Sequence, residues 1–121
     1  MDIELLKHII VTNRRKISEI SVVNREYLLD ANMNYIFTGV RQSGKTFLMF
    51  QRIQELLRQG VDLKTIVYIN FDDERLIGFS SEDFDLLLQT HYRMDERPPN
   101  LFLDEIQNVP QFQKVVDSLY I

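Results

Sequence analysis

The chain has 121 residues, enough for one small domain, and its 45% hydrophobic and 26% charged content is that of a folding globular protein rather than a disordered one. A formal charge of −4 and a pI of about 5.1 provide no basic footprint for nucleic acid. The absence of cysteine excludes disulfides, thiolate metal sites and a cysteine nucleophile together.

The N-terminus, MDIELLKHII, carries acids at positions 2 and 4, where a secretory signal wants a basic start and a longer apolar run. No stretch approaches the length of a membrane span, so the expectation is a cytoplasmic protein without a membrane partner. Residues 3–11 place Ile3, Leu5, Leu6, Ile9 and Ile10 at mostly helical spacing, and the polar TNRRK follows. Arg14-Arg15-Lys16 reads as a solvated helix face in preference to a nucleic-acid patch. ISEISVVNREYLL, residues 17–29, fits helix or strand.

From Asn34 the pattern sharpens. NYIFTGV is a short aromatic and β-branched run ending in glycine, as a buried strand does. KTFLMFQRIQELLRQ then carries Phe47, Leu48, Phe50, Ile53, Leu56 and Leu57 at helical spacing, with Gly60 where a helix C-terminus wants glycine. TIVYINF, residues 65–71, is a second strand, with Tyr68 and Phe71 read as core. SSEDFDLLLQTHY is a helix opened by Ser80 or Ser81, with acids in its first turn. After Pro98-Pro99-Asn100, LFLDE is a third strand. Pro110 suits the first turn of a last helix carrying Phe112, Val115, Val116 and Leu119. Strand and helix alternate three times, which implies a parallel sheet covered by helices. His8 and His91 stand apart from any ligand cluster, so no metal is assigned to histidine.

TGVRQSGKTF, residues 38–47, fits G-x-x-x-x-G-K-[ST], with Gly39, Gly44, Lys45 and Thr46 at the fixed places. A random chain of this length matches that pattern less than about once in a hundred. A loop that wraps a phosphate chain needs backbone conformations that glycine permits. The amides of Gly39, Val40, Arg41, Gln42, Ser43, Gly44, Lys45, Thr46 and Phe47 would then face the phosphates, aided by the positive end of the following helix. Lys45 adds a point charge on the β- and γ-phosphates. The Thr46 hydroxyl is a hard oxygen ligand suited to Mg²⁺.

Such a site needs an acid at the end of another buried strand to hold the magnesium through water. Asp104 stands there, after Leu101, Phe102 and Leu103, at the edge where open α/β sheets bind ligands. Glu105 follows, placed to orient the water that attacks the γ-phosphate. Asp72, Asp73 and Glu74 also fall at that edge. They would meet magnesium-bound water or a neighbouring subunit, or simply form Asx-type turns.

With both motifs placed, FTGVRQSGKTFLM, VYINFDDERL and LFLDEIQNVPQFQKVVDSLY resemble the N-terminal ATPase domain of a prokaryotic AAA-superfamily group. Members carry DEIQ with a nearby proline at the third strand and usually continue into a C-terminal domain of unknown function. The resemblance covers residues 33–120. It implies a three-layer P-loop NTPase fold (RecA/AAA-like), ATP binding with Mg²⁺, and hydrolysis using Lys45, Thr46, Asp104 and Glu105. It also implies a division into a helical lead-in, 1–32, and a nucleotide-binding core, 33–121.

Such domains have five core strands in the order 5-1-4-3-2. Only three are legible here, so the chain reads as a piece of a longer protein that lacks the sensor strand, arginine finger and lid. The missing fourth strand would leave a gap between the first and third strands. Collapse of those two strands together, or a neighbouring chain, would fill it, and the isolated chain is expected to be marginally stable or to self-associate.

Without sensor and finger, a nucleotide-binding switch that does not hydrolyse ATP is the main alternative. A GTPase wants glycine where Gln107 stands, and a small-molecule kinase fits the Asp104-Glu105 pair less well than an ATPase does. A DNA-directed role rests on analogy alone.

Overall fold

The computed structural model describes residues 1–19, 35–37 and 45–119. Helix α1 spans Ile3–Glu19, strand β1 Tyr35–Phe37 and helix α2 Lys45–Arg58. Strand β2 (Ile66–Asn70), helix α3 (Asp83–Met94), strand β3 (Asn100–Asp104) and helix α4 (Phe112–Leu119) follow. Of the segment left open between helix and strand, residues 17–19 are helical and 20–29 lie outside the described residues. So do residues 38–44, which carry most of the glycine-rich motif.

The three strands form one parallel sheet in the order β1-β3-β2. Their alternating side chains supply both faces, as strands buried on two sides must. Val67 and Ile69 of β2 join Leu101 and Leu103 of β3 in a core with Leu6, Ile9 and Ile10 of α1, Phe84 and Leu87 of α3, and Val115 of α4. On the opposite face Ile66, Tyr68 and Phe102 meet Met49, Ile53 and Leu56 of α2, and Ile17 at the end of α1. Helices therefore cover both faces of the sheet, with Phe102 fully buried between them.

Direct pairing of β1 with β3 replaces the gap expected from a missing fourth strand. Tyr35 is in register with Phe102, Ile36 with Leu103 and Phe37 with Asp104. Of the outcomes foreseen, the closing of the first and third strands together is the one adopted. Unmet strand amides and carbonyls are costly in a sheet interior, and even a three-residue partner meets them.

The polar TNRRK lies inside α1, and its chemistry explains why. Strand β2 is a sheet edge with exposed carbonyls. The Asn13 side-chain amide donates to the Tyr68 carbonyl at 2.7 Å. Arg14 donates to the carbonyls of Ile66 at 2.8 Å and Lys64 at 2.6 Å. Arg14 is thus half-buried against a strand, while Arg15 and Lys16 are exposed. Burial lowers the Arg14 pKa from its ordinary value, and Asp95 and Asp62 nearby pull the other way. A polar run at the end of an apolar pattern marks an edge cap here, so only part of Arg14-Arg15-Lys16 is a solvated face.

Gly60 ends α2 as expected, at φ 96°. The Val61 amide donates to the Leu56 carbonyl and the Gly60 amide to that of Leu57, the paired pattern of a Schellman cap. Helix α3 begins at Asp83, later than Ser80 or Ser81. The Ser80 amide and hydroxyl instead donate to the Asp83 carboxylate at 2.9 and 3.1 Å, so the serine closes the turn ahead of the helix. Helix α4 begins at Phe112 rather than at Pro110, because Gln111 takes a left-handed φ of 60° between them.

Candidate functional site

Parallel strands deliver their C-terminal residues to one edge of the sheet. There β3 ends in Asp104, opposite Asn70 of β2 and Phe37 of β1. Asp104 shares a face with Phe102, two residues earlier, and that is the face α2 covers. The N-terminus of α2 comes to the same point. Its first turn carries no acidic residue, whereas α3 begins with Asp83 and Asp85. The positive end of α2 is therefore not countered by its own side chains.

The Thr46 hydroxyl donates to Asp104 Oδ2 at 2.6 Å. The Tyr68 hydroxyl donates to the same oxygen at 2.8 Å. Asp104 is fully buried, and hydrogen bonds from hydroxyls are what a buried carboxylate requires. Burial, followed by the charge of Asp104, its hydrogen bond and the charge of Glu105, pushes the Tyr68 phenol well above its ordinary range. Tyr68 is therefore a permanent donor. Its ring packs against Phe50 of α2 with centroids 5.0 Å apart.

Glu105 leaves the strand in a left-handed conformation, φ 56° and ψ 36°, which costs a residue other than glycine roughly 1 kcal/mol or more. The Gln107 amide donates to its carboxylate at 2.5 Å, and the side chain is buried. Of the predicted phosphate loop, Lys45 is the first residue of α2, and Thr46 and Phe47 follow half-buried in its first turn. Gly39, Val40, Arg41, Gln42, Ser43 and Gly44 lie outside the described residues.

After β2 the side chains of Asn70 and Asp73 carry the turn chemistry. Asn70 accepts the Asp72 amide at 2.9 Å in an Asx turn. Asp73 accepts the Arg75 amide at 3.0 Å and holds the Arg75 guanidinium in a two-pronged ion pair. That pair keeps Asp73 below the usual carboxylate range. Beside these turns is a cleft of about 470 Å³ lined by Phe71, Leu76, Ile77, Asn108 and Pro110 among others, and neither Thr46 nor Asp104 borders it. His91 is buried and lies 2.8 Å from the Arg97 carbonyl through Nε2, a fold contact.

Tyr68 is the site residue that sequence reasoning missed, since its ring is indeed core. The signal was a lone hydroxyl within an aliphatic strand, because a buried phenol must find an acceptor. Two hard oxygen donors, the Thr46 hydroxyl and the Asp104 carboxylate, are adjacent at a helix N-terminus, a donor set that suits Mg²⁺ holding several waters and substrate oxygens. Among the described residues no group of three or more His, Asp or Glu converges on a metal position, so protein carboxylates alone do not build a cage there.

Fold and site define an α/β domain whose sheet edge brings a helix N-terminus to a buried carboxylate. A family model for the AAA domain matches residues 31–121, and the chain belongs to that family. An uncharacterized protein of Methanocaldococcus jannaschii is 34% identical over 117 residues, covering 95% of this chain and 25% of its own length. An uncharacterized protein of Haemophilus influenzae is 32% identical over 93 residues, covering 76% of this chain and 23% of its own. The chain thus spans about a quarter of the length of these curated relatives. No solved structure matches it. Among the described residues, no helix is long and apolar enough to cross a membrane.

Proposed function

We propose that this domain is the nucleotide-binding part of an ATPase of the P-loop type, with the three-layer fold of that class, and that it takes ATP with Mg²⁺. Residues 39–47 cradle the phosphates, and Lys45 carries a positive charge to the β- and γ-phosphates. Thr46 and Asp104 hold the metal, Asp104 through water. Magnesium, when bound, neutralises charge on the phosphate oxygens. Glu105 orients the attacking water. The observation that carries the reading is the Thr46–Asp104 hydrogen bond at 2.6 Å, which joins the residue after the motif lysine to the acid ending the third strand. AAA family membership supports ATP as the nucleotide.

In this reading the chain is the N-terminal ATPase portion, with 33–121 as its core, of a DEIQ-bearing protein that continues into a further domain. Its setting is the cytoplasm, and a second copy of the chain is a candidate partner. A second reading, a switch that binds ATP without turnover, is favoured by one contact. Glu105 is buried and held by Gln107 in the structure, not presented to solvent.

Titration with a fluorescent ATP analogue, with Mg²⁺ and then with EDTA, tests binding. Lys45→Ala is expected to weaken binding at least tenfold, and binding left unchanged by it would remove the phosphate loop from the account. Phosphate release distinguishes the two readings. Glu105→Gln is expected to leave binding intact and abolish turnover in the long protein, and a wild type that binds but never hydrolyses selects the switch.

A further inference from the structure

We propose that Tyr68 is a positioning residue that holds the carboxylate of Asp104 in its metal-binding orientation before nucleotide arrives. The inference rests on the ATP–Mg²⁺ reading above and adds a residue from β2 that neither motif contains.

Asp104 Oδ2 receives two hydroxyls from two different elements, Thr46 at 2.6 Å from α2 and Tyr68 at 2.8 Å from β2. A carboxylate at a strand end can turn about its own side-chain bonds, and two donors converging from separate elements fix that rotation. The two donors differ in what nucleotide binding asks of them. Thr46 is itself a proposed metal ligand, so its oxygen must serve the metal while its proton serves Asp104. Tyr68 has no such second duty and remains an anchor throughout.

The position of the Tyr68 hydroxyl is set by several independent restraints. Its backbone is in register with Phe102 of β3, two residues before Asp104. Its carbonyl is held by Asn13 of α1 at 2.7 Å. Its ring lies against Phe50, one turn along from Thr46 on α2. Phenylalanine would fill the same apolar volume without bringing a polar group that must be desolvated. What tyrosine adds at this place is a donor aimed at one oxygen atom.

The decisive variant is Tyr68→Phe, which keeps the ring and removes only the donor. Affinity for a fluorescent ATP analogue is measured in Mg²⁺ and in EDTA, for the wild type, Tyr68→Phe, Asp104→Ala and the double variant. The Phe variant is expected to match wild type in EDTA and to lose about tenfold of the affinity gained from Mg²⁺. In the Asp104→Ala background the same change is expected to do nothing further, because its effect passes through that carboxylate. Full retention of the Mg²⁺ gain, or an equal loss with and without Mg²⁺, overturns the proposal while leaving the ATP reading in place. A wild type with no Mg²⁺ gain overturns both, and a Lys45-dependent affinity in EDTA then shows whether the phosphate loop survives. A second measurement needs no variant. In wild type labelled with ¹³C-tyrosine, the Tyr68 ring resonance is expected to shift with nucleotide plus Mg²⁺ and to stay in place with nucleotide in EDTA. A resonance indifferent to Mg²⁺ overturns the proposal even if Tyr68→Phe fails to fold.

Discussion

The two ends of the sheet treat their carboxylates differently. At the amino end Arg97 donates to both oxygens of Asp95, at 2.9 and 2.6 Å, and to Asp62 at 3.1 Å. These are exposed ion pairs that tie the turn before β3 to the turn before β2. At the carboxyl end Asp104 takes hydroxyls from Thr46 and Tyr68, and Glu105 takes an amide from Gln107. A guanidinium cancels a carboxylate's charge, whereas a hydroxyl or amide fixes its orientation. At the amino end the bonds tie two turns together, and at the carboxyl end they fix the orientation of buried carboxylates. Function reads more clearly from the kind of partner each acid has than from the number of acids.

The sharpest way to break that contrast is to delete one acid from each end. Asp104→Ala is expected to remove the Mg²⁺-dependent part of ATP binding, a loss of a hundredfold or more, and to lower the melting temperature, because the Thr46 and Tyr68 hydroxyls lose their acceptor. Asp95→Ala is expected to leave binding unchanged. Parallel nucleotide titrations and thermal melts check both, and a binding loss from Asp95→Ala would dissolve the distinction.

Next in size is Arg14→Ala, which strips the cap from the β2 edge. Two charge-assisted bonds to the carbonyls of Ile66 and Lys64 disappear, and the expected cost is about 1.5–3 kcal/mol after allowing for partial exposure. Lysine cannot reproduce a fork spanning two carbonyls, so Arg14→Lys is expected to recover little. Urea unfolding measures both. The comparison sharpens if this variant lowers stability and leaves the Mg²⁺ gain intact, since Arg14 binds carbonyls at the start of β2 and the Tyr68 hydroxyl reaches Asp104.

Much of this was legible in the residues, and the exceptions share a cause. Alternation of buried runs with helical spacing identified β2, β3, α2 and α3, because local pattern and tertiary burial agree there. Gly60 ended its helix as a left-handed cap must. Arg14-Arg15-Lys16 read as a helix face, but the capping role of Asn13 and Arg14 was hidden, because they satisfy carbonyls more than 50 residues away. The hydroxyl of Tyr68 was hidden likewise, since its acceptor belongs to another strand. Which of the foreseen ways of closing the gap is taken, the β1–β3 pairing, was hidden for a related reason. Strand order is decided by which backbone groups are present to pair, and no local periodicity records that. The position of Asp104 at the strand end was legible from its place after LFL, and the structure sets it against the Thr46 hydroxyl.

A smaller effect is expected from Glu105→Gly. Relieving a left-handed φ of 56° favours glycine, offset by its larger unfolded-state entropy, for a net gain up to about 1 kcal/mol. A melt that rises while turnover in the long protein disappears would mark Glu105 as strained for its task. A melt that falls would mean that the Gln107 contact outweighs the strain.

Smallest of all is the pH dependence of the amino-end pair, which probes whether its charges act as charges. The hydrogen bonds from Arg97 hold Asp95 well below the ordinary carboxylate range, and the Lys64 amide followed by Arg97 does the same for Asp62. A folded-state pKa below the unfolded one contributes stability that is fully present above the unfolded value, about 3.9. That contribution is lost as pH falls through the depressed folded value. Arg97→Ala removes the guanidinium's share of the depression, which is the leading cause for Asp95, while the backbone amides keep theirs. Its melting temperature is therefore expected to sit slightly below wild type from pH 7 down to about 4, with the two curves converging at lower pH. Added salt should narrow the difference at neutral pH, since Arg97 and Asp62 face solvent. Curves that stay parallel through acid would mean that Arg97 contributes by packing, and the ion pairs would no longer distinguish this end of the sheet from the other.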